Sequence, residues 1–299
     1  MDTVHPVGLF GTPAVRRDEV NMYGPGVTDC KGGVVAAVLA MDALEQCGFR
    51  NRPIQLLLQS DEENSSITSN LTTINYICEK AKNAVAFLNL EGIKTGSREI
   101  VIQRKGILRY RLHVHGKAVH SSKCYEGSNA VLEAAHKIIR LEEMKNPDGL
   151  TCNCGVINGG TVANTVAETC SFLVDIRFAT MEELEQVKEK VRQIAEQTTV
   201  QGCTCTIEEV SFRPAMELCE RNVKLLEKMN EIYDKNGLPV LEGIKENGGS
   251  DAAYSTIAGI PSVDSIGIEG ERIHSVEEYA IMKSLAESAK RIAAVIYGI

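Results

Sequence analysis

The sequence predicts an α/β protein with two domains, one of them inserted into the other. Residues 1–104 alternate helical segments with apolar, strand-like segments, and this alternation resumes after Arg213. Between these parts, residues 105–212 contain a complete β-α-β-β-α-β set, which is the order of a ferredoxin-like α+β domain. We therefore predict a discontinuous domain formed by 1–104 and 213–299, and an inserted domain formed by 105–212.

The first domain begins with patterns that are typical of a parallel sheet. A Gly-rich loop leads into "KGGVVAAVLAMDALEQCGF" (31–49), which predicts an amphipathic helix, and "PIQLLLQS" (53–60) is apolar enough for a buried strand. A second helix is predicted in "SITSNLTTINYICEKAK" (66–82), and a second strand in "NAVAFLNLE" (83–91). Apolar strands joined by helices favour a parallel sheet that is covered on both faces.

The inserted domain has a different pattern. The segment "GILRYRLHVHG" (106–116) alternates in polarity, as a half-exposed strand should. The other elements predicted in the inserted domain are a helix at 128–144, strands at 151–158 and 169–178, a helix at 180–197 and a strand near 203–210. After Arg213 the pattern of the first domain resumes, with a helix at 220–236, a strand in "IPSVDSIG" (260–267) and a final helix at 276–297. One sheet face and one strand edge of the inserted domain need cover, and pairing across a twofold axis would provide it, so we expect a homodimer.

Composition excludes several classes of function. The 299 residues are 43% hydrophobic and 24% charged, and the formal net charge is −8 with a pI near 5.4. Proteins that bind nucleic acid usually carry a basic face, so we expect no nucleic-acid partner. No apolar run reaches membrane-spanning length, so we expect no membrane partner. Ten cysteines without a CxxC pair are typical of reduced thiols, which predicts a cytoplasmic protein.

Acidic and histidine residues stand at predicted strand ends and in loops. These are Asp29 in "GPGVTDCKGG", Glu62 and Glu63 in "QSDEENSS", Glu91 in "LNLEG" and His274 in "EGERIHSVEEY". Because the carboxyl ends of parallel strands meet at one crevice, we expect these side chains to converge around a cation. The mixed oxygen and nitrogen donors suit zinc or another first-row divalent metal. Taken singly, Asp29 also fits a helix N-cap, Glu63 a solvated strand end and His274 an ordinary surface histidine.

The chain resembles the zinc-dependent exopeptidases of the glutamate carboxypeptidase, acetylornithine deacetylase and desuccinylase group, and the glutamate carboxypeptidase branch looks nearest. Eight motifs carry the resemblance in the family's order: "GPGVTDCKGG", "LLLQSDEENSS", "LNLEG", "HGKAVHSS", "GGTVANTVAE", "RPAME", "GGSDAAYSTIAGIPSVDSIG" and "HSVEEY". The resemblance implies a zinc-exopeptidase-like catalytic domain with an inserted lid and dimerisation domain. It also implies hydrolysis of an amide bond in a small peptide or N-acyl amino acid that has a free carboxylate.

The resemblance assigns the metal ligands. Asp29 would bridge two metals, Glu63 and His274 would complete the shell of one, and Glu91 would bind the other. The family binds two zinc ions per subunit, with cobalt or manganese as alternatives. It also implies a cis peptide bond between Asp29 and Cys30.

The resemblance also assigns catalytic and substrate-binding roles. Glu62 would act as the general base, Asp2 would orient the site, and His120 would reach across the dimer interface to stabilise the oxyanion. The substrate-binding residues would be Asn164 in "GGTVANTVAE", Arg213 in "FRPAME" and Gly249 in "GGSDAAYSTIAG". The planar fork of an arginine suits a carboxylate. From the residues alone, His120 reads as a surface strand end and Arg213 as a surface ion pair.

Two other functions stay open. In the family the first motif is His-x-Asp; Asp2 matches the aspartate, and the matching histidine would precede Met1. Either the protein is naturally short or its start was assigned to an internal methionine, and we favour the second. The alternative function is therefore a truncated or degenerate relative that binds one metal ion or fewer and is inactive for lack of this histidine. Magnesium-dependent phosphoryl transfer is disfavoured because the phosphate-loop motif is missing.

Overall fold

The computed structural model describes residues 2–147 and 149–299. Its strands are β1 (Arg16–Arg17), β2 (Asn21–Tyr23), β3 (Phe87–Leu88), β4 (Glu99–Arg104), β5 (Gly106–His115), β6 (Thr151–Gly159), β7 (Thr169–Phe178), β8 (Thr204–Arg213), β9 (Glu242–Glu246), β10 (Ser262–Val263), β11 (Gly270–Glu271) and β12 (Tyr279–Ile281). Its α-helices are α1 (Gly32–Gln46), α2 (Thr72–Lys80), α3 (Ala130–Glu142), α4 (Met181–Glu196), α5 (Glu220–Lys235), α6 (Ala252–Ile257) and α7 (Met282–Gly298). The chain divides into two compact units, which we call the first unit (1–103, 216–246 and 250–299) and the second unit (104–215 and 247–249).

The second unit is a four-stranded antiparallel sheet in the order β6-β7-β5-β8, with α3 and α4 packed on it. Strand β5 pairs with β7 from Gly106↔Phe178 to His115↔Thr169, so the alternating polarity of β5 turns every second side chain to the helices. The core includes Leu108, Leu112 and Ile176, each 0% exposed. This is the ferredoxin-like arrangement, and the predicted fold class is confirmed.

Side chains cap both helices of the second unit at their first turn. Asn129 Oδ1 accepts hydrogen bonds from the N–H groups of Val131 and Leu132, and Thr180 Oγ1 accepts one from Glu183. These bonds satisfy N–H groups that have no partner within the helix. The sequence therefore fixes the starts of α3 and α4 by local chemistry as well as by burial.

The first unit is built from shorter pieces of sheet. A four-stranded sheet has the order β1-β2-β12-β11, and two separate pairs are formed by β3 with β10 and by β4 with β9. The β3–β10 pair is parallel. Helix α1 packs on α7 through its small residues, including Ala36 and Ala40, each 0% exposed. At the start of α1, a Cβ on Gly33 would collide with the carbonyl oxygen of Leu90, so glycine allows this close approach.

Several predicted elements of the first unit are wrong. Residues 53–59 form no strand in the part of the chain that the structure describes, and the strand predicted at 83–91 is confined to Phe87–Leu88. An apolar run has the composition of a strand, but a strand also needs a partner for its backbone, which local sequence does not supply. The helix predicted at 66–82 begins only at Thr72, after a series of turns. The last helix begins at Met282 because the preceding residues form β12.

None of the described helices combines the length and apolar character that are needed to cross a bilayer.

Candidate metal centre

The Asp29 loop of the first unit is held by a buried carboxylate. Glu278 is 1% exposed, and its two oxygens accept hydrogen bonds from the N–H groups of Gly26, Thr28 and Asp29 at 2.9, 2.9 and 3.1 Å. The Asp29–Cys30 peptide bond is cis, as the resemblance implied. The backbone that carries the Asp29 carboxylate is therefore fixed from a different part of the chain.

His274 joins this loop to the loop after residue 60. Its Nε2 lies 3.0 Å from Asp29 Oδ2 and 3.5 Å from Glu63 Oε2. Asp2 Oδ2 accepts a hydrogen bond of 3.0 Å from the N–H of Glu63, so Asp2 lies at the same site and fixes its neighbour's backbone. Four of the residues proposed from the sequence thus converge in one place.

Glu91 and Cys30 form a second group of possible ligands with Asp29. One ligand atom from each of Asp29, Cys30 and Glu91 lies within 4.8 Å of the others. Burial raises the pKa of Glu91 well above its usual value, and the nearby carboxylates of Asp29 and Glu62 raise it further. Burial also raises the pKa of the Cys30 thiol, together with the charge of Glu91.

These donor atoms fit a divalent cation. One oxygen each from Asp29 and Glu63 and a ring nitrogen of His274 lie within 4.8 Å of one another. Several carboxylates in one partly buried place repel one another. A cation would relieve the repulsion, and oxygen, nitrogen and sulfur donors together suit zinc better than calcium or magnesium.

Asp61, the first of the three consecutive carboxylates, has a structural role. It is 4% exposed, and its Oδ2 accepts a hydrogen bond of 3.0 Å from the N–H of Ser69. Its own carbonyl accepts a second bond from the N–H of Ser66. Asp61 thereby orders the turns that follow Glu62 and Glu63.

In the second unit, His120 and Asn164 lie close together. His120 pairs with Thr165 in an isolated antiparallel bridge, and the carbonyl of Asn164 accepts a hydrogen bond from the N–H of Ser121. The imidazole is exposed, and its Nδ1 accepts a hydrogen bond from the N–H of Ser122. This bond occupies Nδ1, and no hydrogen bond of Nε2 is present among the described residues.

Arg213 and Gly249 also meet in the second unit. Arg213 ends β8 opposite Ile107 and is 5% exposed, so it is not a surface residue as the sequence suggested. A Cβ on Gly249 would lie 3.0 Å from Arg213 Cδ and 2.7 Å from Ile107 Cδ1. Glycine therefore lets the 247–249 segment approach the arginine closely.

Sequence reasoning missed two residues of the metal centre. Glu278 lies in the quoted motif "HSVEEY", but only its burial and its bonds to the Asp29 loop reveal a role. Cys30 was grouped with the other thiols as a reduced, partly buried cysteine, and its place next to Asp29 in the chain was the one available signal.

The chain is similar to known peptidases and deacylases. The profile of the peptidase dimerisation domain M20_dimer matches residues 102–203, and that of peptidase family M28 matches residues 5–137. Carboxypeptidase G2 of Pseudomonas sp. (strain RS-16) is 28% identical over 300 residues, which cover 98% of this chain and 71% of the relative. Acetylornithine deacetylase of Myxococcus xanthus is 26% identical, over 88% of this chain and 67% of the relative.

Solved structures show the same fold. A tripeptidase from Staphylococcus aureus subsp. aureus Mu50 superposes with a TM-score of 0.77 at 22% identity, over 96% of this chain and 77% of that one. An M20 family metallo-carboxypeptidase from Sulfolobus solfataricus has a TM-score of 0.68 at 17% identity, over 95% and 78% of the two chains. The two profiles and these relatives lead to one conclusion: the chain is similar to carboxypeptidases and deacylases, and it carries regions that match a peptidase family and a peptidase dimerisation domain.

Proposed function

We propose that this protein hydrolyses the amide bond of a small peptide or N-acyl amino acid that has a free carboxylate, with zinc as its metal. The observation that carries the proposal is the convergence of Asp29, Glu63 and His274, whose ligand atoms lie within 4.8 Å of one another. Three protein ligands with an open position are the usual set for a catalytic zinc. The relatives that act as carboxypeptidase and deacetylase support the amide as the bond that is cleaved.

The metal and the chain's own residues have separate tasks. Asp29, Glu63 and His274 would hold one zinc ion, and Asp29 and Glu91, with Cys30 beside them, would hold a second, weaker one. A zinc ion bound there would supply a Lewis acid that polarises the amide carbonyl. We expect one tightly held ion per chain, because the second set offers no imidazole and shares its Asp29 carboxylate with the first set.

Glu62 is the proposed general base. It lines the same cavity as Asp29 and Glu91, and its charge contributes to the raised pKa of Glu91. Its carboxylate would take a proton from the attacking water and return it to the leaving amine. Asp2, through its hydrogen bond to the N–H of Glu63, would hold the neighbouring ligand in place during this transfer.

Arg213 is the proposed partner of the substrate carboxylate. An arginine offers two parallel N–H donors to the two carboxylate oxygens. Asn164 and Gly249 complete the proposed substrate-binding set, with His120 as the donor to the developing oxyanion. These four residues all belong to the second unit, within which His120 lies beside Asn164 and Arg213 beside Gly249.

A homodimer through the second unit is part of the proposal. Strand β6 is an edge strand, and Val156 and Ile157 on it are 48% and 49% exposed. The neighbouring helix α3 exposes Leu132 and Ile139. An exposed apolar edge of this kind favours pairing with a second copy, as does the match to a dimerisation domain. Ten free cysteines support a reducing, cytoplasmic location.

The variant Glu62→Gln tests the mechanism. The amide cannot accept a proton, so the release of amine from N-acetyl and N-succinyl amino acids and from dipeptides should fall by about 100-fold or more. Zinc content after dialysis, measured by atomic emission, should remain at about one ion per chain, because Glu62 is a base and not a ligand. The matched control is Glu45→Gln on the exposed part of α1. Unchanged turnover in Glu62→Gln would exclude the assignment, and two tightly held ions in the wild-type chain would contradict the ligand set.

A further inference from the structure

The loop between β11 and β12, residues 272–278, contacts Asp29 through two different side chains. His274 Nε2 lies 3.0 Å from Asp29 Oδ2, and the buried Glu278 accepts a hydrogen bond of 3.1 Å from the N–H of Asp29. Glu278 also accepts bonds from two other N–H groups of the Asp29 loop. We call residues 272–278 the His274 loop. Its conformation therefore determines how the His274 imidazole meets the Asp29 carboxylate.

The backbone of the His274 loop is held in a conformation that side chains disfavour. Arg272 has φ +58° and His274 has φ +61°, and both values lie in the left-handed region. There the Cβ atom is crowded by a neighbouring carbonyl oxygen, so residues other than glycine adopt this conformation rarely. Such residues persist where the surrounding structure fixes them, and they cluster at functional sites. Two of them so close in sequence require a contact that keeps the loop closed.

Ser275 supplies this contact through both its side chain and its backbone. Its Oγ donates a hydrogen bond of 2.7 Å to the carbonyl of Arg272 and accepts one of 3.2 Å from the N–H of Glu277. The N–H of Ser275 donates to the same Arg272 carbonyl at 3.2 Å, and its carbonyl accepts a bond of 3.2 Å from the N–H of Glu278. Ser275 thus joins the chain before His274 to the buried Glu278 after it.

An ion pair between Arg272 and Glu277 also spans the His274 loop. Its two side chains are 59% and 62% exposed, so water and salt weaken their attraction, and such pairs contribute little. The hydroxyl of Ser275 differs because it bonds directly to the backbone on both sides. We therefore assign the closure of the loop to this hydroxyl and not to the ion pair.

We propose that Ser275 is a positioning residue of the metal centre, whose hydroxyl keeps the His274 loop closed and so holds His274 against Asp29 before a metal ion binds. This role rests on the proposed function, in which Asp29 and His274 are ligands of one zinc ion. Ligands that are already in place lose little conformational freedom on binding, which raises the affinity. Without the hydroxyl, Arg272 and His274 relax towards ordinary backbone conformations, and the imidazole leaves Asp29.

Zinc affinity of three serine variants tests the role of the hydroxyl. Ser275→Ala should lower the affinity by about tenfold, measured by competition with a chelator. Ser275→Thr keeps a hydroxyl and should bind zinc as the wild type does. The matched control is Ser97→Ala, because the Ser97 hydroxyl also donates to a nearby oxygen and accepts from a backbone N–H, both on Glu99. Equal affinities in Ser275→Ala and Ser97→Ala overturn the proposal, and so does a loss that Ser275→Thr shares.

Hydrogen exchange in the metal-free chain separates this proposal from the proposed function. In Ser275→Ala the N–H groups that Glu278 holds, those of Gly26, Thr28 and Asp29, should exchange about tenfold faster. Exchange in β5 of the second unit should not change. Unchanged exchange at the Asp29 loop overturns the role of Ser275 whether or not zinc binds. A wild-type chain that binds no zinc would instead contradict the proposed function.

Substitutions of Arg272 test whether the loop is held against a backbone preference. Arg272→Gly and Arg272→Ala both remove the ion pair to Glu277, but only glycine adopts φ +58° without a crowded Cβ. We expect zinc to bind Arg272→Gly about threefold more tightly than Arg272→Ala, because alanine favours the open loop. Equal affinities in these two variants would overturn the proposal that a closed, strained loop positions His274.

Discussion

The two units of the molecule differ in how completely each satisfies its own strands. In the second unit, strands of nine and ten residues pair along their length and cover a core in which Leu108, Leu112 and Ile176 are fully buried. In the first unit, the sheet is divided into short pieces, and the apolar run 53–59 pairs with nothing in the described chain. The metal centre lies in the first unit, among loops that join these short strands and helices.

Hydrogen bonds from side chains to backbone hold the loops of the metal centre. Glu278 holds the Asp29 loop by three N–H groups, and Asp2 holds Glu63 by one. Each of these bonds joins segments that are distant in sequence. The comparison therefore teaches that the second unit is stabilised mainly by its core, and the metal centre mainly by a few polar contacts.

The largest expected effect comes from breaking the core of the second unit. Phe172 is 1% exposed, and Phe172→Ala should lower the free energy of unfolding by about 3–5 kcal/mol, because it removes apolar contacts and leaves a cavity. Leu58→Ala in the first unit should change it by less than about 1 kcal/mol, since that side chain is 56% exposed. Urea denaturation of both variants measures the difference. Equal losses would remove the contrast between the units.

The next effect concerns the polar support of the metal centre. In Glu278→Gln the side chain keeps its size, but an NH₂ group replaces one carboxylate oxygen. That group is a donor, so it cannot accept the hydrogen bond that a backbone N–H of the Asp29 loop gives to the carboxylate. We expect zinc affinity to fall by about 10–100-fold, as for other changes behind the metal ligands. Competition with a chelator measures the affinity, and near-ultraviolet circular dichroism checks the fold. The control is Glu277→Gln, an exposed neighbour that bonds to Arg272. Equal affinities in the two variants would show that Glu278 is not a positioning residue.

The elements of the second unit were predictable because its strands are long and alternate strictly. The strand predicted at 106–116 is Gly106–His115, and the one predicted at 169–178 is Thr169–Phe178. In the first unit, 53–60 has the same apolar content, but whether it becomes a strand depends on neighbours that lie elsewhere in the fold. Short strands such as β9 and β12 carry too few residues for a periodic signal.

The ligands of the metal centre were predictable from the sequence, but the residue that supports their loop was not. Asp29, Glu63 and His274 stand at strand ends or in loops within recognisable motifs, so their convergence was expected from the sequence. The role of Glu278 was not, because it acts through backbone N–H groups of a loop that includes Gly26, 252 positions away. The burial of Glu278 is a property of the folded chain, and the sequence around residue 278 contains no pattern that indicates it.

A smaller, pH-dependent effect on the free energy of unfolding concerns Asp175, which forms ion pairs with Arg109 and Arg177 in the second unit. Burial raises the pKa of Asp175, but hydrogen bonds from Arg177 and Arg109 outweigh it, and the net pKa is lowered. A carboxyl with a lowered pKa in the folded state stabilises the fold above its unfolded value near 3.9, and this contribution is lost as pH falls through the folded pKa. Asp175→Asn should therefore cost about 1 kcal/mol at pH 7 and progressively less as the pH is lowered below about 3.9, by urea denaturation over this pH range. A loss that does not change with pH would contradict the ion-pair explanation.

The smallest expected effect concerns the helix caps. Side chains cap α3 and α4, whereas the described helices of the first unit, α1, α2, α5, α6 and α7, have no side-chain cap. Cys219 precedes α5 with φ −136° and ψ 152°, close to the φ −137° and ψ 159° of Thr180 before α4. The backbone is thus already arranged for a capping hydroxyl.

We expect Cys219→Ser to raise the free energy of unfolding by about 0.5 kcal/mol, because the serine Oγ can accept a hydrogen bond from the first turn of α5. Thr180→Ala should lower it by about 1 kcal/mol, because the N–H of Glu183 loses its acceptor. Cys47→Ser, at the carboxyl end of α1, makes the same chemical change where no N–H group needs a partner, and it should have no measurable effect. Thermal and urea unfolding of the three variants measure these changes in the free energy of unfolding. If Cys47→Ser and Cys219→Ser give equal changes, loss of the thiol explains both, and the missing caps do not account for the difference between the two units.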